Sequence, residues 1–291
     1  MKVSVVVTVL NEAGTIKPLL DSLLEQSLSP REIIVVDAGS TDGTVNIIKH
    51  YSITFRDRDR GTNRSKARNT GIKAAKNEII AITDAGCVAD KHWLERLVKP
   101  FKDKQVISVA GYYRPACAGR PVIKTPFQQA IAPFVAVMPD KFDPKTYLPS
   151  SRSLAFRKGV AWYPENLNYC EDLIFAQRLK AAGKMAVVAG AKVRWQMQTT
   201  WAGFFNQIYH YAQGDVRARY WPHLLKIATV WLRYVLFLTW PPLFLVYLFW
   251  PVIKLGHYTS TPGWKYLPLL QVTADLAVLT GSLSAIISKR I

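Results

Sequence analysis

Glu32-Ile-Ile-Val-Val-Asp-Ala-Gly-Ser-Thr-Asp-Gly-Thr44 (EIIVVDAGSTDGT) joins a short apolar run to a polar turn that contains two glycines. Residues 32–37 have the length and the β-branched content of a strand buried in a parallel sheet. The turn offers glycine for a tight bend and hydroxyl or carboxyl side chains that can cap a helix. The stretch therefore predicts one strand–turn–helix repeat of an α/β domain.

The same alternation continues on both sides of this stretch. Strands are predicted at 3–9, 52–55 and 78–83, and helices at 11–26, 41–51, 65–76 and 170–182. The last helix ends at Gly183, a natural C-cap. This order favours an α/β domain with a mostly parallel sheet, in which ligands bind at the carboxyl ends of strands. Asn11, Asp37 and Asp84 each follow a predicted strand, so we expect them to converge on one crevice.

The end of the chain has a different composition, dominated by Leu, Val, Phe, Trp and Tyr. Residues 234–253 carry no charge, and residues 266–288 carry one, Asp275. Each segment is long enough to form a helix that crosses a bilayer. Trp240-Pro241-Pro242 interrupts the first segment, so a kink or a re-entrant hairpin stays open as an alternative. An ion pair that holds the helices together, for example with Arg233, is the expected reason for a charge at Asp275, and a place on the path of a lipid substrate is the alternative.

A helix is also predicted between the two parts, at 199–222. It carries an aromatic stripe with basic residues after it, which suits a helix lying at a membrane interface. Packing on the preceding domain is the alternative reading. The predicted organisation is thus a catalytic domain at 1–198, an amphipathic interfacial helix at 199–222, and a membrane region at 223–291.

The formal net charge of +18 is compatible with several partners. No Lys/Arg block or nucleic-acid motif is present, so anionic membrane lipids and a phosphorylated substrate explain the excess better than nucleic acid. Cys87, Cys117 and Cys170 lack metal-ligand spacing and leave an odd thiol, as expected in a reducing compartment. The N-terminus has no signal-peptide pattern, and the tail Lys289-Arg290 is basic. We therefore expect the cytoplasmic membrane, with the catalytic domain facing the cytosol.

Several short motifs occur in a fixed order between residues 3 and 220. They are Thr8-Val-Leu-Asn-Glu12, Asp37-Ala-Gly-Ser-Thr-Asp-Gly-Thr44, Ala67-Arg-Asn-Thr-Gly-Ile72, Ser153-Leu-Ala-Phe-Arg-Lys158, Glu171-Asp172 and the stretch around Gln207. Taken together, this ordered set resembles glycosyltransferase family 2. The resemblance implies a GT-A nucleotide-sugar-binding domain with a mostly parallel mixed sheet, and inverting transfer of a sugar.

The resemblance also implies roles for single residues. Asp37 would hold the nucleotide base, Asn11 and Glu12 would border its pocket, and Arg68 would lie near the diphosphate or base. The implied nucleotide-sugar-binding set is Thr8, Asn11, Glu12, Asp37, Ser40, Arg68 and Asp84. For Arg68, a surface helix cation is the alternative, and Asp42 is as well suited to a helix cap as to a ligand.

Inverting transfer needs a base that takes the proton from the acceptor hydroxyl. The resemblance assigns this role to Asp172, with Glu171 orienting either the base or the acceptor. Helix N-terminal acids are also common for dipole reasons alone. Gln207, His210 and Tyr211 look like a variant of a Gln-x-x-Arg-Trp signature that closes over the diphosphate and shapes the acceptor site. Because His210 replaces a permanent cation, an interfacial aromatic helix remains the alternative.

The resemblance implies a second acid two residues after Asp84, but that position is Gly86. One carboxylate, diphosphate oxygens and water can still hold a hard cation. We therefore predict Mg²⁺ or Mn²⁺ that is weakly held at Asp84 together with the donor diphosphate, with His210 as a conceivable extra ligand. Asp90 is expected to cap the helix that contains Trp93.

The resulting hypothesis is an inverting glycosyltransferase of cell-envelope glycan or glycolipid synthesis. It would move a sugar from a UDP- or GDP-sugar to a hydroxyl or phosphate of a membrane-associated, lipid-linked acceptor. Two hydrophobic helices are few for an export channel, which disfavours a processive synthase. A sugar-phosphate nucleotidyltransferase and a catalytically decayed membrane adaptor are the alternatives, and turnover of a nucleotide sugar discriminates against both.

Overall fold

The computed structural model describes residues 1–57, 62–116 and 125–288 of the chain. Cys117 and the tail Lys289-Arg290 lie outside these ranges. The chain divides into two compact units, one formed by Met1–Gly119 and Phe142–Gln196, the other by Arg120–Lys141 and Met197–Ile291. The described residues 125–141 group with the second unit, and the predicted catalytic domain at 1–198 stays a prediction.

In the part of the chain that the structure describes, the first unit is built on one mixed sheet of eight strands. They are β1 (Val3–Val9), β2 (Glu32–Asp37), β3 (Thr54–Asp57), β4 (Ile79–Asp84), β5 (Cys87–Ala89), β6 (Val106–Ala116), β7 (Leu154–Arg157) and β8 (Lys184–Gln196). Their order is β3-β2-β1-β4-β7-β6-β8-β5. The first four run parallel, β7 is antiparallel to β4 and β6, β8 is parallel to β6, and β5 is antiparallel to β8. The expected α/β domain with a mixed sheet is confirmed.

Within the described ranges, five α-helices accompany the sheet in this unit. They are α1 (Ile16–Leu24), α2 (Thr44–Ile48), α3 (Arg64–Ala74), α4 (Trp93–Val98) and, after a helix α5 of the second unit, α6 (Glu171–Ala182). The predicted helices 11–26 and 41–51 are too long, because polar loop residues occupy their first turns. Asn11 takes a left-handed backbone with φ of 56°, which an α-helix does not accommodate. The C-cap at Gly183 is confirmed.

Helix α3 packs very closely on the sheet, at Gly71. A Cβ atom at this position would lie 2.4 Å from Val6 Cγ1 and 3.3 Å from Val36 Cγ2. Val6, Val36 and the next residue of the helix, Ile72, are fully buried in the hydrophobic core. This close approach of α3 to β1 and β2 fixes the position of Arg68, one helical turn earlier, near the end of β4.

Gly71→Ala is expected to lower the free energy of unfolding by about 1–3 kcal/mol, because the added methyl overpacks a filled core. Gly14→Ala is the matched control, since a Cβ there meets nothing within 4 Å. Thermal unfolding of the two variants in one detergent buffer measures the difference. Equal melting temperatures for both would contradict the close packing of α3 on β1.

The second unit consists of α5 (Pro126–Val135), α7 (Trp201–Ala218), α8 (Trp221–Thr239), α9 (Pro242–Leu255) and α10 (Leu267–Ile287). Helix α7 lies along α10. A Cβ on Gly281 would lie 2.3 Å from the Tyr209 carbonyl oxygen, and Gln213 Nε2 donates to Ser284 Oγ at 3.3 Å. The predicted amphipathic helix at 199–222 therefore uses one of its faces for packing on another helix, and it ends at Ala218.

The predicted single span at 234–253 is wrong as one helix, because the chain reverses direction at Trp240-Pro241. Arg233 Nη1 on α8 donates to Tyr247 Oη on α9 at 2.7 Å. In a straight helix these two residues would be about 21 Å apart along the axis. Consecutive prolines at 241 and 242 cannot continue the backbone hydrogen bonds of α8. The segment is a helical hairpin, which was the alternative reading of the Trp-Pro-Pro sequence.

A polar cluster holds this hairpin against α10. Tyr247 Oη donates to Asp275 Oδ2 at 2.6 Å, Gln271 Nε2 donates to Oδ1 at 3.1 Å, and Arg233 Nη2 lies 3.5 Å from Oδ1. The expected pairing of Asp275 with Arg233 is confirmed. Among the described residues, one helical stretch, Thr261–Ile287, is long and apolar enough to cross a membrane, judged by length and composition.

Candidate active site

The loops that follow β1 and β2 are joined by side chains. The Asn11 backbone N–H donates to Ser40 Oγ at 2.8 Å, and the Thr41 N–H donates to Asn11 Oδ1 at 2.8 Å. Asp37 is buried, and its Oδ2 accepts from the N–H groups of Gly39 and Ser40, each at 2.9 Å. The strand-end acid therefore shapes the turn itself, and a contact from Asp37 to a nucleotide base stays a prediction.

A second set of bonds joins the same two loops further along the chain. The Ala13 N–H donates to Asp42 Oδ2 at 3.0 Å, and the Glu12 N–H donates to Thr44 Oγ1 at 2.7 Å. Asp42 also accepts from the Thr44 N–H at 3.1 Å, and the hydrogen bond from the Thr44 hydroxyl lowers the pKa of Asp42. Asp42 thus bonds the first residue of α2, although the N-cap position is Gly43 and α2 has no side-chain cap.

Glu12 and Thr8 face the same end of the sheet. Thr8 lies opposite Val36 on one side and opposite Asp84 on the other in the strand register. The Glu12 carboxylate accepts a hydrogen bond from the Thr15 hydroxyl. Burial raises the pKa of Glu12 above its ordinary value. The predicted convergence of the strand ends at Asn11, Asp37 and Asp84 therefore holds at the level of strand register.

Arg68 is the central cation of the site. It is 3% exposed. Its Nη2 lies 2.7 Å from Asp84 Oδ1 and its Nη1 lies 2.7 Å from Glu171 Oε1. The guanidinium also lies over the Tyr163 ring, 5.1 Å from the centroid. The reading of Arg68 as a surface cation is therefore wrong, because the side chain bridges the end of β4 and the start of α6 within the core.

In this bridge, Arg68 and Asp84 each stabilise the charged form of the other. Burial alone would raise the pKa of Asp84, but Arg68 and then Arg152 outweigh it, so the pKa lies below its usual range. Burial alone would lower the pKa of Arg68, but Asp84 and Glu171 raise it well above its ordinary value. Both groups are therefore ionised at neutral pH. A contact from Arg68 to the donor diphosphate stays a prediction, because both Nη atoms bond to acids.

The two acids at the start of α6 have different surroundings. Glu171 is buried and paired with Arg68, whereas Asp172 is half-buried and accepts from the Leu173 N–H at 2.9 Å. Burial and the neighbouring Glu171 carboxylate raise the pKa of Asp172 to about 6, against the opposing effects of Arg152 and Arg68. A carboxylate with such a pKa is ionised at neutral pH and is a better proton acceptor than an ordinary aspartate.

The start of α6 is held in place by α3. Asn69 Nδ2 donates to the Tyr163 carbonyl at 3.0 Å, and the Tyr163 N–H donates back to Asn69 Oδ1 at 3.0 Å. Ser65 Oγ donates to the Leu167 carbonyl at 2.9 Å. The Tyr163 ring stacks on Phe175 of α6, with centroids 3.9 Å apart. Helix α3, which carries the Ala67-Arg-Asn-Thr-Gly-Ile72 motif, therefore holds the segment that leads into α6.

Arg152 is a site residue that sequence reasoning missed. Its guanidinium lies over the Trp195 ring at 3.9 Å from the centroid and over the Tyr113 ring at 4.8 Å. It lowers the pKa values of Asp84 and Asp172. In the sequence, Arg152 is marked only by its position just before β7, next to the Ser153-Leu-Ala-Phe motif.

The residues around Asp84 offer few ligands to a metal ion. Asp84 Oδ1 accepts from Arg68, and Gly86 has a left-handed φ of 82° that disfavours an aspartate. Within the described ranges, no group of three His, Cys, Asp or Glu side chains is arranged to hold a metal. Asp84 therefore fits a cation only if the donor diphosphate and water supply the other ligands.

Asp90 does not cap α4 through its side chain, contrary to expectation. Its backbone carbonyl accepts from the Trp93 N–H at 2.8 Å. The carboxylate instead lies 3.9 Å from Arg114 Nη2 and 3.7 Å from Arg194 Nε. The carboxylate is thus directed towards these two arginines and makes no side-chain cap at α4.

Gln207, His210 and Tyr211 all lie on α7, in the second unit. Gln207 Nε2 donates to Tyr211 Oη at 2.8 Å, one helical turn away. The His210 ring contacts the Tyr209 ring edge-to-face, with centroids 5.2 Å apart. Their predicted action on the diphosphate and acceptor stays a prediction.

Comparison with known families agrees with this architecture. The glycosyl transferase family 2 profile matches residues 4–160, which is more than half of the chain. The chain therefore belongs to glycosyl transferase family 2 and is a glycosyltransferase. The match includes the two loops that follow β1 and β2, together with Arg68 and Asp84, and it ends before α6.

Two relatives extend the similarity over more of the chain. Glycosyltransferase AglE of Haloferax volcanii is 28% identical over 235 residues, which cover 77% of this chain and 69% of AglE. O-antigen chain rhamnosyltransferase RfbN of Salmonella typhimurium is 30% identical over 210 residues, which cover 67% of this chain and 66% of RfbN.

Solved structures share the fold. TarS from S. aureus in complex with UDP superimposes with a TM-score of 0.52 at 22% identity, over 73% of this chain and 64% of TarS. The mannosyltransferase PcManGT from Pyrobaculum calidifontis, in complex with GDP-Man and Mn²⁺, gives 0.55 at 20% identity, over 99% of this chain and 74% of PcManGT. The fold of the first unit is therefore GT-A-like.

Proposed function

We propose that the protein is an inverting glycosyltransferase that uses a nucleotide-diphosphate sugar as donor. The observation that carries this proposal is the pair of acids at the start of α6. Arg68 holds Glu171 at 2.7 Å, which leaves Asp172 as the acid with a raised pKa and no such ion pair. Asp172 takes the proton of the acceptor hydroxyl while that oxygen attacks the anomeric carbon. The Glu171 carboxylate raises the pKa of Asp172 through its charge.

The donor lies, in this proposal, across the carboxyl ends of β1, β2 and β4. Support comes from the family match, which covers these strands, and from the nucleotide ligands UDP and GDP-Man of the two structural neighbours. Asp37 and its turn border the base, as do Asn11, Glu12 and Ser40, and Asp84 faces the diphosphate. UDP- and GDP-sugars are the proposed donors.

The acceptor is membrane-associated and lipid-linked in this proposal. The α8–α9 hairpin exposes large apolar side chains to solvent, among them Leu238 at 84%, Phe249 at 69% and Ile253 at 76%. Apolar patches of this kind mark interaction surfaces, and lipid is the natural occupant for helices of this composition. The hairpin and α10 attach the protein to the cytoplasmic membrane, with the catalytic unit in the cytosol. RfbN, named for O-antigen synthesis, supports an envelope glycan as product.

A divalent cation at Asp84 is part of this proposal, as Mg²⁺ or Mn²⁺ shared with the donor diphosphate. When bound, it neutralises charge on the leaving diphosphate. Activity is expected to fall at least about tenfold in EDTA and to return with Mn²⁺, because Arg68 is held by Asp84 and Glu171 and cannot take over the neutralisation of the diphosphate. Donor-free protein is expected to bind Mn²⁺ only weakly. Full activity in EDTA, or tight binding of Mn²⁺ without nucleotide, would contradict the metal role.

The pH dependence follows from Asp172. A base must be unprotonated, so kcat/KM is expected to rise with pH up to about 6 and then to level off. Arg152 lowers the pKa of Asp172, so Arg152→Gln is expected to move the midpoint of this rise to higher pH. Arg152→Lys, which retains the charge, is the matched control and is expected to shift it less. An unchanged midpoint in Arg152→Gln would show that Arg152 does not act on the base.

A donor screen tests the function. The purified full chain in detergent is incubated with UDP-, GDP- and dTDP-sugars and a membrane lipid extract, and released nucleotide is identified. Release of a nucleoside diphosphate, coupled to sugar transfer into the lipid fraction, is expected for one base. Pyrophosphate exchange with a sugar phosphate would instead indicate a nucleotidyltransferase. Neither reaction with any donor would indicate a decayed site.

A further inference from the structure

The second unit contains a cleft between α7, α8 and α10 to which no ligand has been assigned above. Its volume is about 130 Å³. The lining residues are Ile208, Tyr211, Ala212, Asp215, His223, Lys226, Ile227, Val230 and Val278. The wall is thus mostly aliphatic, and its polar groups come from the corner where α7 ends and α8 begins.

The polar groups of the cleft form a cationic rim. His223 Nδ1 lies 3.0 Å from Asp215 Oδ2, so the single acid of the lining is already paired. The Asp215 side chain is only 13% exposed, whereas that of His223 is 32% exposed. Lys226 follows one turn later on α8 and is exposed. Among the lining residues, Lys226 is the cation that this acid does not pair with.

The sequence around the cleft carries the same sign of charge. Residues 216–274 contain no Asp or Glu, and they contain Arg217, Arg219, Lys226, Arg233, Lys254 and Lys265. On α8 the exposed side chains next to these cations are large and apolar, including Trp221, Leu225 and Leu232. Cations that border an apolar helical surface match the phosphate level of a membrane, where anionic head groups meet acyl chains.

We propose that this cleft binds the phosphate-bearing end of a single-chain membrane lipid. The phosphate contacts Lys226 and His223, and the first carbons of the chain lie against Ile208, Ile227 and Val230. The lining offers one lysine beside an aliphatic wall, which matches one phosphate and the first carbons of one chain. This inference rests on the proposed membrane acceptor and names the part of that acceptor that the second unit recognises.

Binding to the full chain in detergent, without any nucleotide, tests the proposal. Calorimetric titration compares farnesyl phosphate, farnesol, inorganic phosphate and dioleoyl phosphatidylglycerol. Farnesyl phosphate is expected to bind at least about tenfold more tightly than the other three, because only this probe satisfies both the cationic rim and the apolar wall. Equal affinity for phosphatidylglycerol would mean a general anionic-lipid surface, and equal affinity for inorganic phosphate would mean an anion site. Either result would overturn the proposal.

Three variants localise the binding. Lys226→Gln and Val278→Phe are each expected to weaken farnesyl phosphate about tenfold, through the lost charge-assisted contact and the filled cleft respectively. Lys254→Gln, on α9 and outside the lining, is the matched control and is expected to bind like the wild type. Lys226 is exposed, so its variant is expected to fold. Wild-type affinity in both cleft variants would overturn the site. Since no donor is present, this outcome would leave the proposed transferase reaction to its own test.

Discussion

Asp172→Asn is expected to lower turnover of the nucleotide sugar by about 10²–10⁴-fold, the usual contribution of a positioned base. An amide cannot accept the acceptor proton, and Glu171 cannot replace the lost base because Arg68 holds its carboxylate at 2.7 Å. The measurement is nucleoside diphosphate release at saturating donor and acceptor, together with the melting temperature of each protein.

The stability of this variant separates a chemical effect from a folding effect. Burial and Glu171 disfavour the charged form of Asp172, which is why its pKa is raised. A carboxylate with a raised pKa loses its favourable contribution to folding as pH rises, so a neutral amide is expected to leave the melting temperature at pH 7 unchanged or higher. Asp103→Asn, at an exposed acid paired with Lys184, is the control. Turnover near the wild-type value in Asp172→Asn would assign the base elsewhere.

Arg68→Met is expected to be the most destabilising single change in the first unit, by about 3–5 kcal/mol, because it leaves two carboxylates without their cation. The paired groups Asp84 and Glu171 lie 2.7 Å from its two Nη atoms. For a chain of this size the loss corresponds to a fall in melting temperature of about 6–20 °C. Lys17→Met, at an exposed pair with Asp21, is the control and is expected to melt near the wild-type temperature.

A second substitution tests whether the loss comes from unpaired charge. Arg68→Met combined with Glu171→Gln removes one of the abandoned carboxylates, so the double variant is expected to melt above Arg68→Met alone. Activity is expected to stay low in both, because the start of α6 has lost its link to β4. A double variant that is less stable than the single one would contradict the bridging role of Arg68.

The four parallel strands β1 to β4 and the acids at their ends could be predicted because local sequence determines them, whereas β5 to β8 were not predicted. Short β-branched runs alternate with turn residues, and each candidate acid directly follows such a run, so the parallel order places the acids at one edge. The prediction that Asp172 is the base came from the family resemblance. The structure adds a reason that sequence cannot supply, since the Glu171–Arg68 pair joins residues 103 positions apart in the chain.

Contacts between distant segments account for the features that sequence missed. Asn11 lies outside α1 because its backbone N–H donates a hydrogen bond to Ser40 Oγ on another loop. Arg152 is recognisable only from the rings of Tyr113 and Trp195 beneath it. The uncharged, apolar composition of residues 234–253 predicted one membrane-spanning helix. Hydropathy does not show whether a chain continues straight or turns back after prolines such as those that follow Trp240. The hairpin became visible only through the contact between Arg233 and Tyr247.

The central claim is that Asp172 activates an acceptor hydroxyl for a single direct displacement at the anomeric carbon. The anomeric configuration of the product tests this claim most directly, once the donor screen has identified the sugar nucleotide. Proton NMR of the transferred sugar is expected to show a configuration opposite to that of the donor. Retention of the donor configuration would contradict a single displacement with Asp172 as its base.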